Sequence, residues 1–231
     1  MTPQTIVNAV FQLIAFLFAI SIHESAHAWM ASRCGDPTAR MLGRVTLNPL
    51  KHIDPVGTVL MPLIALITNF PVIGWAKPTP VDPHNFKNPV WDDIKTSVVG
   101  PISNFVVAGG AVAVMAVISL SSGTGRELVD WMARNYRPDR TPEGASILIP
   151  LVVFFCQLMQ INVVLAVFNL IPVPPLDGSH VLRHFLSEPL RRAYDSVGIF
   201  GLLALVYLGG NLLGRLISPF LGFFDSILVK L

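Results

Sequence analysis

The chain has 231 residues, 52% of them hydrophobic and 13% charged, with a formal net charge of +2 and a mean hydropathy of +0.61. Soluble domains carry about 25% charged residues, so this composition cannot coat a water-facing globule of that size, and a lipid bilayer is the natural solvent. The 16 Lys and Arg are spread through the connecting segments, which argues against a nucleic-acid-binding surface.

Residues 6–22, IVNAVFQLIAFLFAISI, hold no charge. The helical pattern continues through HESAHAWMAS to about Arg33, ample to span roughly 30 Å of hydrocarbon at about 1.5 Å per residue. The stretch lacks the basic start and small-residue cleavage site of a secretory signal, so it is expected to be a retained helix. A turn-rich segment follows, then an apolar stretch from Val56 to Phe70 that is short for a full span. With Pro62 inside it and Pro71 closing it, it suits a re-entrant or tilted helix at least as well as a simple crossing. The Pro-rich VIGWAKPTPVDPHNF disfavours helix and predicts an extended strand or hairpin at the membrane surface.

Residues 95–120 form a second span, rich in Gly and Ala as suits close helix packing in lipid. Residues 121–145 read as a polar connection. A third span runs from about Ser146 to Asn169 and ends in IPVPPLDG, where three prolines cannot all continue a helix. After a charged segment come GIFGLLALVYLGGNLLG and LISPFLGFFDSILVK, the latter either a last short span or an interfacial helix. The whole predicts an all-α polytopic bundle of five to six membrane segments, one a re-entrant candidate, with a small membrane-associated β-hairpin. We take residues 1–231 as one membrane-embedded domain, with a core at 5–190 and C-terminal helices at 196–231. Cys34 and Cys156 read as small buried hydrophobes, with no disulfide framework implied.

His23, Glu24 and His27 spell H-E-x-x-H on a helix. Positions i and i+4 share a face one turn apart, so both imidazoles can ligate one Zn²⁺ while Glu24 reaches a water at the metal as general base. Two histidines and a glutamate at the end of an apolar helix each need a partner or a wet cavity, and one metal serves all three. A catalytic zinc takes three protein ligands and keeps one open position. Asp177 is the best third ligand: the prolines before it break the helix, and Gly178 allows a tight backbone. Its alternative role is to cap the helix predicted over DGSHVLRHFL.

The motifs HESAH, GPISN and FNLIPVPPLDG, in this order on apolar segments, resemble the site-2 proteases, the intramembrane zinc metalloproteases. GRVTLNPLKHIDPVGTVLMP and GWAKPTPV further resemble the compact bacterial and archaeal members, and the chain leaves no room for an inserted PDZ module. The resemblance implies that His23, His27 and Asp177 hold the zinc and that Glu24 activates water. It implies that Asn104 of GPISN and Asn169 of FNLIP are buried polar groups beside the metal, placed to steady the scissile carbonyl or its oxyanion. It further implies that the region of Gly74, Trp75, Ala76 and Lys77 pairs with an unwound substrate as an added strand. His52 could bind a second metal or hold its loop but is expected to be solvated or packed; His180 and His184, spaced i and i+4, could bind metal but have no Glu between them and are taken as structural, and His84 is left without a role.

If the three motifs meet at one depth, the connections on the active-site face hold ten Lys or Arg, between Arg33 and Lys95 and between Arg183 and Arg192, against four between Arg126 and Arg140. The positive-inside rule then turns the active site toward the cytoplasm, in what is expected to be a prokaryotic inner membrane. The expected function is hydrolysis of peptide bonds in the transmembrane helices of other membrane proteins. Two alternatives are a zinc transporter, which needs no base at position 24, and a silent member that only binds membrane helices.

Overall fold

A chain that lies in lipid must satisfy its backbone hydrogen bonds within itself, and helices do this segment by segment. The computed structural model describes residues 3–61, 64, 75–135, 147–209 and 211–230. Its α-helices are α1 (Pro3–Cys34), α2 (Thr38–Met41), α3 (Pro89–Ser121), α4 (Gly123–Asn135), α5 (Leu148–Asn169), α6 (Asp177–Arg183), α7 (Glu188–Leu208) and α8 (Leu212–Val229). Short 3₁₀ turns lie at Pro49–Lys51 and Pro83–Asn85, with a π-helical turn at Pro55–Leu60.

Four of these helices, α1 from Ile6 onward, α3, α5 and α8, are long and apolar enough to cross a membrane. They leave Ile6, Val10, Leu13, Val106, Val117 and Leu120 exposed, side chains that lipid rather than water would accept. The fold is all-α and polytopic. Most of the stretch from Val56 to Phe70, counted above as a further segment, lies outside the described residues, as does Gly74. Among the described residues there is no strand, and residues 75–82 run without helix.

The chain divides into two compact units, Ile20–Gly100, and Met1–Ala19 with Pro101–Leu231. The core of the larger unit is built from Ala108, Ala111 and Met115 of α3, Val129 and Met132 of α4, Val153, Cys156 and Met159 of α5, and Leu228 of α8, all nearly or wholly buried. Here the structure departs from the polar connection expected over 121–145. Residues 123–135 form α4, which packs against α5 and α8. Leu128, Val129 and Met132 share one face, and the other carries charge, including an Asp130–Arg134 pair at 2.8 Å. Averaged over the segment the two faces cancel, which is why composition concealed an amphipathic helix. Helix α7 starts earlier than its apolar run, taking in the charged Glu188–Asp195, and is broken at Gly198, where φ is 49°.

In the smaller unit the loops are tied down by side chains of the loop itself. Asp54 caps the π-helical turn, its carboxylate accepting from the N–H groups of Val56 and Gly57 at 3.0 and 2.7 Å. Asp36 is fully buried just past α1. Its carboxylate accepts from the Thr38 hydroxyl and N–H, from the Asp82 N–H at 2.8 Å and from the Asn85 amide at 3.0 Å.

Candidate active site

Helix α1 carries His23, Glu24 and His27 through one turn, and both histidines are buried. Their Nε2 atoms lie 3.0 Å apart, and the rings meet edge to face at 82°. The Nδ1 of His27 is 2.6 Å from the main-chain oxygen of Thr96 on α3. A carbonyl only accepts, so Nδ1 carries the proton, and the His27 Nε2 is left as a lone pair turned toward His23. Buffering a ligating imidazole through its second nitrogen in this way fixes its tautomer and its orientation.

The room for two rings in so small a space comes from Gly100. A Cβ at that position would meet the His27 ring, with Cε1 at 2.6 Å, and the His23 Cε1 at 2.8 Å. Sequence reasoning placed Gly100 among the small residues that let helices approach. Its neighbours in the structure are the imidazoles themselves.

Glu24 is held by the extended segment. The Thr79 N–H and hydroxyl both donate to Glu24 Oε2, at 2.9 and 2.7 Å, and the same hydroxyl lies 3.0 Å from the Glu24 carbonyl. Going back along the segment, the Lys77 N–H donates to the His52 carbonyl at 2.9 Å and the Trp75 N–H to the Gly57 carbonyl at 3.2 Å, while the Trp75 carbonyl accepts from the Thr58 hydroxyl at 2.8 Å. The N–H and C=O of one residue in an extended chain point the same way and alternate from residue to residue. Trp75, Lys77 and Thr79 are thus turned inward, and Ala76, Pro78 and Pro80 form the other edge. The Trp75 ring lies over Gly57, so close that a Cβ there would strike it.

Asp177 is the first residue of α6. The residue before it, Leu176, is extended (φ −73°, ψ 155°) and occupies the cap position, so Asp177 stands one residue inside the place a capping aspartate would take. Gly178 is needed for close approach: a Cβ there would run into the carbonyl oxygens of Leu170 and, at 2.8 Å, Ile171 at the end of α5. Asn104 is fully buried and its amide donates to Asn162 Oδ1 on α5 at 2.8 Å, while Asn162 donates in turn to the Leu158 carbonyl at 2.8 Å. Asn169 donates back to the Leu165 carbonyl of its own helix at 3.0 Å.

His52 is fully buried, with Nε2 at 2.9 Å from the Thr46 carbonyl, as expected of a structural histidine. Thr79, Thr96 and Asn162 were not singled out by sequence reasoning. Thr96 acts through a main-chain carbonyl, which no side-chain pattern reveals, whereas Thr79 stood in plain view in GWAKPTPV.

Zinc holds imidazole nitrogens at about 2.0–2.1 Å, so two nitrogens 3.0 Å apart can both reach one ion. His23 and His27 thus offer two imidazole nitrogens to one ion, a donor pair that suits zinc. The model for Peptidase family M50 matches residues 11–208. The chain belongs to Peptidase family M50. Members of this family are the site-2 proteases, so the chain is a zinc metalloprotease by family and a multi-pass membrane protein by its helices.

Two relatives agree. The chain is 32% identical over 198 residues to "Putative zinc metalloprotease YwhC" of Bacillus subtilis, covering 86% of this chain and 79% of the relative. It is 26% identical over 207 residues to "Putative zinc metalloprotease Rip2" of Mycolicibacterium smegmatis, covering 89% of this chain and 69% of that relative. No solved structure matches the chain.

Proposed function

We propose that this M50 member is an endopeptidase that cuts peptide bonds within or near the transmembrane helices of membrane-protein substrates, as a step of regulated intramembrane proteolysis. His23, His27 and Asp177 would hold one zinc ion. When bound, zinc supplies a Lewis acid that makes water acidic and polarises the scissile carbonyl. Glu24 takes the proton of the attacking water at its carboxylate and passes it to the leaving amine nitrogen. Asn104 and Asn169 donate to the carbonyl oxygen as charge develops on it.

The observation that carries this reading is the His23–His27 pair, two buried imidazoles with Nε2 atoms 3.0 Å apart and the His27 proton placed on Nδ1 by the Thr96 carbonyl. A peptide bond inside a helix is hidden by its own hydrogen bonds, so the substrate unwinds and adds as a strand beside Gly74, Trp75, Ala76 and Lys77. The inward-turned N–H groups of Trp75 and Lys77 support this, because they leave the opposite edge of the segment for a partner. The whole chain serves as a single peptidase domain of five to six membrane segments, in a prokaryotic inner membrane, with the site open to the cytoplasm as the distribution of Lys and Arg favours.

The test is cleavage of a tagged single-span substrate by the purified protein in detergent, with bound zinc quantified. Glu24→Gln is expected to keep zinc and lose cleavage. Undiminished cleavage by Glu24→Gln overturns the mechanism.

A further inference from the structure

The proposed function casts Glu24 as the base but leaves open what aims its carboxylate. Glutamate has three side-chain torsions, and a general base must hold its oxygen within hydrogen-bond reach of the proton it takes. An unsupported side chain on a helix turn visits several rotamers. The structure supplies one fixed point. Thr79 gives Oε2 two donors, its main-chain N–H at 2.9 Å and its hydroxyl at 2.7 Å, and the hydroxyl also lies 3.0 Å from the Glu24 carbonyl. Both donors fall on the same carboxylate oxygen.

Thr79 itself has little freedom. Pro78 and Pro80 flank it and bias the chain around it toward extended geometry. The segment is pinned on one side by the Lys77 N–H to the His52 carbonyl and on the other by the Asp82 N–H to Asp36, at 2.9 and 2.8 Å. His52 is fully buried, so the near anchor is rigid.

We propose that Thr79 is a positioning residue for the reaction: its hydroxyl and amide lock Glu24 Oε2, and this orients Oε1 as the oxygen that accepts the proton of the attacking water. The inference rests on the reading of Glu24 as the base. It also explains why one short segment carries both the proposed substrate edge and the anchor of the base. The same backbone that registers a substrate strand on Ala76, Pro78 and Pro80 fixes Glu24 through the alternate residue, Thr79, so the cut bond and the base share one frame.

The experiment compares Thr79→Val, Thr79→Ala and Thr79→Ser with wild type and Glu24→Gln, measuring kcat and KM on a tagged single-span substrate together with zinc content and melting temperature. Val nearly preserves volume and removes the hydroxyl; Ser removes a methyl and keeps the hydroxyl. Each variant retains the main-chain N–H. A charge-assisted hydrogen bond of ordinary strength predicts a fall of about tenfold or more in kcat for Val and Ala, with KM and bound zinc unchanged, and Ser within about threefold of wild type.

Rates ordered by side-chain size rather than by presence of the hydroxyl overturn the proposal, as does a loss that falls in KM or in zinc content. Wild-type rates in both Val and Ala, with Glu24→Gln inactive, refute the role of Thr79 and leave the base assignment standing. Normal cleavage by Glu24→Gln removes the reading on which the proposal rests.

Discussion

Gly100→Ala is the sharpest test of how the histidine pair is packed, because general helix chemistry and this structure predict opposite signs. In the interior of a helix, Ala is favoured over Gly by about 1 kcal/mol, so the substitution in α3 ought to stabilise. The new Cβ, however, would lie 2.6 Å from the His27 Cε1 and 2.8 Å from the His23 Cε1. Carbon atoms rest about 3.5 Å apart, so the rings would have to retreat by the better part of an ångström. That exceeds the roughly 0.5 Å tolerance of a working constellation, and a misplacement of about 1 Å costs on the order of 100-fold in rate.

The retreat would also pull the His27 Nδ1 from the Thr96 carbonyl. Gly109 and Gly110 of the same helix have nothing within 4 Å of a built Cβ, so Gly109→Ala is the control. The assay is bound zinc per chain by atomic absorption, melting temperature in detergent, and cleavage of a single-span substrate. We expect Gly100→Ala to lose zinc and activity, and Gly109→Ala to keep both with an unchanged or higher melting temperature. A Gly100→Ala protein that binds zinc and cleaves like wild type refutes the argument.

Further outcomes follow from the polar contacts. Asn162→Leu removes the 2.8 Å acceptor of the buried Asn104 amide; hydrogen bonds between membrane helices are worth about 1 kcal/mol, and denaturant unfolding in detergent should show a loss of that order. Burial on its own would push the Asp36 carboxyl up, but hydrogen bonds from Thr38, the Asp82 N–H and Asn85 outweigh it and hold it below its ordinary value of 3.8. A carboxyl depressed on folding contributes stability that is present above about pH 4 and lost as the pH falls through the lower folded value. Melting temperature should therefore drop below pH 4 in wild type, and Asp36→Asn should flatten that part of the profile. Gly57→Ala, which drives a Cβ into the Trp75 ring, is expected to shift tryptophan fluorescence and to weaken substrate binding more than zinc binding.

Much of the fold was legible because lipid makes hydropathy nearly decisive: the spans expected from about 6, 95 and 146 correspond to α1, α3 and α5. What escaped was α4, whose charged face hid its apolar one, and the six-residue extension of α3 back to Pro89, which carries Asp92 and Asp93. The histidine spacing announced the pair on α1, since i and i+4 is a geometric statement in itself. The supports of that pair were harder to see. Thr96 and Gly100 touch His27 from 69 and 73 positions away, one through its main chain and the other by lacking a side chain, and neither leaves a mark in a one-dimensional pattern. Asp177 follows a break in the helix, as the prolines predict, yet it is not the cap that was its alternative role: Leu176 occupies that position, with extended backbone and no side-chain capping hydrogen bond.

The edge made by Ala76, Pro78 and Pro80 has a meaning for crowding as well as for the proposed substrate pairing. Proline has no N–H, so this edge presents three carbonyls and a single donor. Two copies of the protein set side by side along it would face acceptor to acceptor and could not zip together, which is how natural sheets keep their open borders from joining. An ordinary peptide, rich in N–H groups, meets no such refusal. The segment is thereby closed to its own kind and open to a guest, a useful property for a peptidase diffusing among its sisters in the plane of a membrane.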